Sequence, residues 1–294
     1  MPRRYQRERR YICGQSRAAA QYQEVEIYPI CEGAQESRDL DRANAKPPQF
    51  RGTPKAQANH NAKVARRWFC RLLVTNFDGH DLHITLTYAP DKRPEDETQA
   101  WRDFKNFLCH LRTACKRQGL PPPECLAVLE WQEADPDTGQ KAVAPHFHVV
   151  LKCGLDRDTV ERAWHRKGER LGRANADRLQ FDGGSLEALA NYLMKYPKRK
   201  HRYFRSRGIK NPVMPTPRDG KYTRSQVARI ATDSGRLHDR EYWARKYPGW
   251  ELTEATATYN DFLGWSISLK MQRKRGQADG RGHKKPRGGG TSSG

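Results

Sequence analysis

Pro145-His146-Phe147-His148-Val149-Val150-Leu151 is the stretch whose reading decides the fold. Alternate side chains of a strand share a face, so His146 and His148 project together while Phe147 and Val149 turn toward a core. Just upstream, Cys125-Leu126-Ala127-Val128-Leu129-Glu130-Trp131 reads as a second strand. Asp135-Pro136-Asp137-Thr138-Gly139 between them supplies turn chemistry, which makes the two strands antiparallel neighbours. Further back, His83-Ile84-Thr85-Leu86-Thr87-Tyr88 alternates, is β-branched and stops at Ala89-Pro90. Between that strand and the next, Glu95 to Lys116 carries Trp101, Phe104, Phe107, Leu108 and Leu111 at three- and four-residue spacing, the mark of an amphipathic helix.

Beyond the histidine strand, Asp156 to Leu171 reads as a second helix capped at Asp156 or Asp158, and Arg178-Leu179-Gln180-Phe181 as a short edge strand. A third helix is expected to begin at Ser185, with Glu187 in its first turn, to run through Tyr192 and to stop at Pro197. Strand-helix-strand-strand-helix-strand-helix on an antiparallel sheet is the split β-α-β pattern of an α+β fold. Four regions follow. Residues 1–60, rich in Arg, Gln, Ala, Asn and Pro, read as a flexible basic arm with at most a short strand at Val25–Pro29. Residues 61–212 form the folded unit, and residues 213–269 an extension of unassigned role. Residues 270–294, dominated by Lys, Arg, Gly and Ser, read as a disordered basic tail.

Composition narrows the partner. Of 294 residues only 36% are hydrophobic and 30% are charged; 55 Lys and Arg against 34 Asp and Glu give a formal net charge of +21. Such an excess favours a polyanion, because neutralising phosphates releases their counterions. The seven cysteines are scattered and form no C-x-x-C pair, which argues against a zinc knuckle or a disulfide framework. No apolar run reaches membrane-spanning length and the N-terminus lacks the apolar core of a secretory signal, so a soluble protein without membrane partners is expected. Neither H-E-x-x-H nor G-x-x-x-x-G-K-[ST] occurs, so the sequence contains neither that type of zinc hydrolase site nor a P-loop.

His146 and His148 on one face can bind one divalent ion. A third ligand is expected from the neighbouring strand, with Glu130 the natural candidate and Glu133, closer to the turn, the alternative. Two imidazoles and a carboxylate with positions left open suit Mg²⁺ or Mn²⁺ holding a phosphate oxygen. Tyr192 and Tyr196 stand one helical turn apart with Lys195 beside them. A phenol attacks phosphorus when its proton is being removed, which a nearby metal or cation favours. Lys195 serves as that cation, or orients the phosphate, or protonates the leaving oxygen. Attack leaves a 5′-phosphotyrosine and a free 3′-OH, conserving the bond for rejoining. Lys198-Arg199-Lys200-His201-Arg202-Tyr203-Phe204-Arg205-Ser206-Arg207 interleaves cations with aromatics, a pattern that matches phosphates and stacks unpaired bases; Lys210 extends it.

Together these residues resemble the HUH endonucleases, a superfamily marked by a His-hydrophobic-His motif, here His146-Phe147-His148. More narrowly, they resemble the rolling-circle replication initiators of small single-stranded DNA phages and plasmids. Leu86-Thr87-Tyr88 is similar to the first motif of that family, Glu130 with His146 and His148 to its metal triad, Tyr192-Leu193-Met194-Lys195-Tyr196 to its third motif, and Ser206-Arg207-Gly208-Ile209-Lys210 to the basic stretch that follows. The resemblance covers roughly residues 80–212. It implies a ferredoxin-like (RRM-like) catalytic domain, metal-dependent nicking of a single-stranded DNA origin, and a covalent intermediate in which Tyr192 attacks first and Tyr196 serves a second transfer. It also implies dependence on a host helicase and host replication proteins, in the cytoplasm of a bacterial host cell. Two alternatives are weighed against it. A single-strand transposase of this type is usually shorter, and a mobilisation relaxase usually places its tyrosine before the histidines. A catalytically inactive RRM-like nucleic-acid-binding protein would form no covalent adduct.

Overall fold

The computed structural model describes residues 4–14, 20–31, 55–134, 141–181, 186–194 and 203–274. In chain order, β1 (Arg4–Cys13) and β2 (Tyr22–Cys31) precede α1 (Lys55–Asn76), β3 (Leu82–Thr87), α2 (Glu97–Arg117), β4 (Glu124–Gln132) and β5 (Val143–Lys152). Then come α3 (Arg157–Arg162), β6 (His165–Arg166), β7 (Glu169–Arg170), β8 (Ala174–Arg178), α4 (Glu187–Leu193) and β9 (Phe204–Arg205). The last group is β10 (Arg218–Asp219), α5 (Arg224–Thr232), α6 (Ser234–Leu237), α7 (Arg240–Lys246), β11 (Trp250–Asn260) and β12 (Gly264–Arg273).

One five-stranded antiparallel sheet, in the order β8-β3-β5-β4-β9, carries the histidines. β5 is inserted between β3 and β4, and β3 between β5 and β8, so two split β-α-β units interlock as the element order predicts. Phe147, Val149 and Leu151 point to one face and pack with Phe104, Phe107 and Leu111 of α2. Asp96 caps α2 by accepting from the Gln99 backbone N–H at 2.7 Å. On the other face Leu126, Val128 and Val150 pack under α1 and α4, through Phe69, Leu72 and Leu73 and through Ala190 and Leu193. The central strand is therefore covered on both sides along most of its length, which explains why apolar residues run on without alternation after His148.

Three expected elements differ. The second helix ends at Arg162 instead of Leu171, because Trp164 turns into the core and donates its indole N–H to the Thr87 carbonyl at 2.8 Å. The chain then reverses through Lys167 and Gly168, both at positive φ (51° and 87°), in the tight β6–β7 hairpin that such a residue pair supports. The edge strand is Ala174–Arg178, not Arg178–Phe181: Ala174 and Ala176 are the small residues facing the α2 side, while Leu179 joins the core beneath α1. The third helix begins at Glu187 and ends at Leu193, with Met194 turning inward as its C-cap, so Tyr192 is its penultimate residue.

A second five-stranded sheet, β10-β1-β2-β12-β11, is built from the two ends of the described chain. Residues 4–13 and 22–31, expected within a flexible arm, are strands paired over ten positions. Residues 250–260 and 264–273 complete the sheet, so the segment after residue 213 is bound to the N-terminal hairpin, and Lys270–Arg273, expected in the tail, belong to β12. Ile12, Val25, Ile27, Leu269 and Met271 pack beneath Val227, Ile230, Leu237 and Trp243 of α5, α6 and α7. The composition hid these strands because their other face is polar. Residues 32–54 of the expected arm and 275–294 of the tail lie outside the described residues. Among the described residues no helix is long and apolar enough to cross a membrane.

α1 lies between the two sheets and joins them. Its apolar side packs on the histidine sheet, while Arg71 reaches Glu24 at 2.6 Å and Glu26 at 2.7 Å on β2 and stacks over the Tyr11 ring at 3.4 Å. Arg71 and Glu24 are both buried. Removing one partner of a buried ion pair leaves the other charge uncompensated, a cost of about 3–5 kcal/mol. Arg71→Ala is accordingly expected to lower unfolding free energy by about that amount in urea denaturation. A loss below about 1 kcal/mol would mean that the two sheets are held together by other contacts.

Candidate metal centre and nucleophile

The register of the sheet assembles the candidate metal ligands. His146 stands opposite Glu130 of β4 and opposite Thr87 of β3; His148 stands opposite Val128 and Thr85. Cross-strand partners share a face, so the two imidazoles and the carboxylate converge at the open end of the α1 and α4 side. Glu130 Oε2 lies 3.4 Å from His146 Nε2 and 3.6 Å from His148 Nε2, and the two Nε2 atoms are 3.2 Å apart. The ladder shifts register between Glu130 and Gln132, at the point where the carboxylate must turn toward the histidines. Among the described residues these three form the one cluster of His, Cys, Asp and Glu suited to a metal ion, and the alternative ligand Glu133 is not in it.

The outer nitrogens show that the cluster fits a cation. His146 Nδ1 donates to the Ala144 carbonyl at 2.8 Å, so Nε2 is the nitrogen left to face the cluster. His148 Nδ1 is 3.4 Å from Thr85 Oγ1, and its ring stacks on His83 at a centroid distance of 5.5 Å. Burial, followed by the neighbouring His146 and His83, pushes the His148 imidazolium down to about 3, so the ring is neutral and ligand-ready across the physiological range. Two nitrogen lone pairs and a carboxylate aimed at one point repel one another unless a cation lies between them, and N₂O with room for further oxygens is a donor set for a divalent ion.

Thr85 was not singled out by the sequence reading, although strand alternation combined with pairing to the histidine strand would have located it. It acts through His148 by fixing the ring that carries Nε2. Thr85→Val is expected to weaken divalent-ion affinity roughly tenfold, the low end for an outer-shell partner, and Thr85→Ser to restore it. Titration calorimetry with Mn²⁺ checks this; equal affinities for the Val variant and the wild type would show that packing alone orients His148.

Leu86-Thr87-Tyr88 supports this end of the sheet. Leu86 is core, Thr87 pairs with His146, and the Tyr88 hydroxyl donates to buried Asp103 at 3.3 Å, with Arg166 ion-paired to the same carboxylate at 2.6 Å. Tyr192 comes from α4, which crosses the histidine face. Its ring meets the His148 ring edge-on at 5.1 Å between centroids, yet the side chain is 53% exposed. A tyrosine in contact with a metal ligand and open to solvent can be approached by a polymer from outside. Lys195, Tyr196, Lys198, Arg199, Lys200 and Arg202 lie outside the described residues.

The remaining expected DNA contacts stand elsewhere. Arg205 pairs in β9 with Leu126, and Arg207 and Lys210 follow beside Glu124, at the opposite end of β4 from Glu130. At about 3.3 Å per residue the six steps from Glu124 to Glu130 span about 20 Å. The structure thus does not bring Arg205, Arg207 and Lys210 to the metal cluster. β9 carries Arg205 along the sheet edge, with Arg207 and Lys210 after it, while Lys198 to Arg202 of the basic strip lie outside the described residues.

The family model described as Replication-associated protein ORF2/G2P matches residues 81–201, a segment holding β3 to α4 and all three metal-cluster residues. No curated protein and no solved structure gives a significant match. With the interlocked β-α-β sheet and the Glu130-His146-His148 cluster, that match identifies residues 81–201 as a Rep-like nicking endonuclease of the HUH family.

Proposed function

We propose that this chain initiates rolling-circle replication by nicking a single-stranded DNA origin and remaining attached to the new 5′ end through Tyr192. The contact between the exposed Tyr192 ring and His148 carries the proposal, since it supports a nucleophile and a metal ligand acting on one phosphate. Glu130, His146 and His148 would hold Mg²⁺ or Mn²⁺, which supplies charge stabilisation at the scissile phosphate when bound. In the reaction the Tyr192 oxygen bonds to phosphorus as its proton departs. The bond to the 3′ oxygen breaks, and that oxygen leaves as a free 3′-OH after taking a proton. Lys195 is assigned to orient the phosphate or deliver that proton, and Tyr196 to the second transfer that closes the displaced strand. Unwinding is assigned to a host helicase, because no P-loop string occurs in these 294 residues, and synthesis to host replication proteins.

The test is incubation of purified protein with Mn²⁺ and a single-stranded origin oligonucleotide. A live site gives a denaturant-stable protein–DNA adduct and a fragment ending in 3′-OH. A metal-dependent cut that leaves only free 5′-phosphate would assign the attack to water instead. No cut on any candidate origin would leave the chain as a nucleic-acid-binding protein.

A further inference from the structure

At the end of the histidine sheet opposite the metal cluster, a groove of about 1160 Å³ opens between α2, the start of β4, the end of β5 and the loop after β9. Five cations line it: Arg112, Lys152, Arg205, Arg207 and Lys210, with Glu124 the one acid. We infer that this groove is a second DNA-anchoring site, one that grips the sugar-phosphate backbone of the single strand whose scissile phosphate lies at the metal cluster. The inference rests on the reading of that cluster as a nicking site.

Solvated charge has no reason to be held rigidly, but this loop is tied down at every step. The Ser206 backbone N–H donates to the Cys125 carbonyl at 3.0 Å, and its Oγ accepts from the Cys125 N–H at 2.9 Å. Arg205 donates to Asn211 Oδ1 at 2.7 Å and to the Ile209 carbonyl. Lys210 is clamped through its backbone, which exchanges two hydrogen bonds with the Asn76 side chain at 2.7 and 2.8 Å. Gly208 lies directly against the Glu124 side chain, which a Cβ there would push aside. Pro121, Pro122 and Pro123 stiffen the opposite wall. Arg205 is held through its own guanidinium, and Arg207 and Lys210 stand on an anchored backbone, so less freedom is lost when they meet a polyanion.

The lining also says which part of the DNA is held. Phe204, its one aromatic, is partly buried and packs with Phe104 at 5.3 Å and Trp101 at 6.4 Å between ring centroids. With five cations and one partly buried ring, the groove offers chiefly contacts to phosphates, which carry no sequence information. The separation of about 20 Å corresponds to about six nucleotides of stacked strand at ~3.4 Å each.

The test replaces three groove cations with neutral residues, Arg112→Gln, Lys152→Gln and Arg207→Gln together, which leaves the Ser206, Asn211 and Asn76 anchors in place. A control carries the same charge change on α6 and α7, at Arg236, Arg240 and Arg245. Binding of a 5′-labelled oligothymidylate about 20 nucleotides long, a length chosen to exceed the ~20 Å span, is measured against salt in chelator, where no nicking can occur. The groove variant should lower the slope of log K against log salt by about 2, at ~0.7 per lost contact, and shorten the nuclease-protected length by about six nucleotides. The control should do neither. An unchanged slope, an equal change in the control, an undiminished footprint, or a loss seen with duplex and not with single strands would each overturn the inference. Because metal and Tyr192 play no part in this measurement, failure of the nicking reading would instead show in the adduct assay, with the groove result unaffected.

Discussion

His148→Ala is expected to cut single-stranded origin DNA at least about a thousandfold more slowly than the wild type at saturating Mn²⁺. A catalytic metal supplies several kcal/mol of transition-state stabilisation, and each ~1.4 kcal/mol is a factor of ten in rate. The expectation follows from how the cluster is built. Each imidazole presents Nε2 inward while its other nitrogen faces Ala144 or Thr85. His148 is also buried, so the alanine leaves a hole, and the experiment needs a variant that separates chemistry from folding. Glu130→Gln is that variant: it keeps volume and hydrogen bonding, removes one charge from the ligand set, and should show a comparable loss of cutting with unchanged thermal stability. Affinity for single strands in chelator should stay within about twofold in both, since it comes from phosphate contacts at other cations. Full-rate nicking by His148→Ala, or wild-type nicking that survives chelator, would remove the metal from the mechanism.

The histidine sheet was legible because its signals are local and redundant. Antiparallel pairing of the Glu130 and His146 strands follows from two apolar runs and one turn, and the register then places the carboxylate beside the imidazoles without further information. The helix over Trp101 to Leu111 announced itself by period. The second sheet was not legible, for a reason visible in its strands. Tyr22, Glu24 and Glu26 face α1, and Glu8 and Arg10 share a face with Val25 and Ile27, so β1 and β2 show a weak apolar alternation, and beyond their own hairpin their partners β10 and β12 lie more than two hundred residues away. Strands stabilised by pairs that distant carry little of their own signal. α3 was overextended because Trp164 looks like a helical core residue in sequence, and only its hydrogen bond to Thr87 shows that it ends the helix. The place of Arg205 is hidden for a similar reason. Charge is visible in a sequence, but the strand pairing that carries Arg205 to the far end of β4 is not.

Tyr192→Phe is expected to abolish the covalent adduct, with single-turnover cleavage reduced at least about ten-thousandfold, within the range seen when a catalytic nucleophile is removed. The substitution deletes one oxygen from a side chain that is more than half exposed, so the fold and the edge-on contact with His148 should persist. That makes it a sharper probe than any ligand variant. Tyr192 also sits one residue from the end of α4, where Met194 turns inward and the helix stops. Tyr196 lies outside the described residues, and the family resemblance assigns it to the second transfer. Tyr196→Phe should accordingly form the first adduct at the wild-type rate and fail at the second transfer, read as loss of closed single-stranded circles with the linear adduct accumulating. Peptide mapping of the trapped adduct decides the assignment. Attachment at Tyr192 sustains it, and attachment at Tyr196 alone exchanges the two roles. Attachment at Tyr88, whose hydroxyl is buried against Asp103, or at Tyr203 would move the nucleophile off α4 and overturn the proposed geometry.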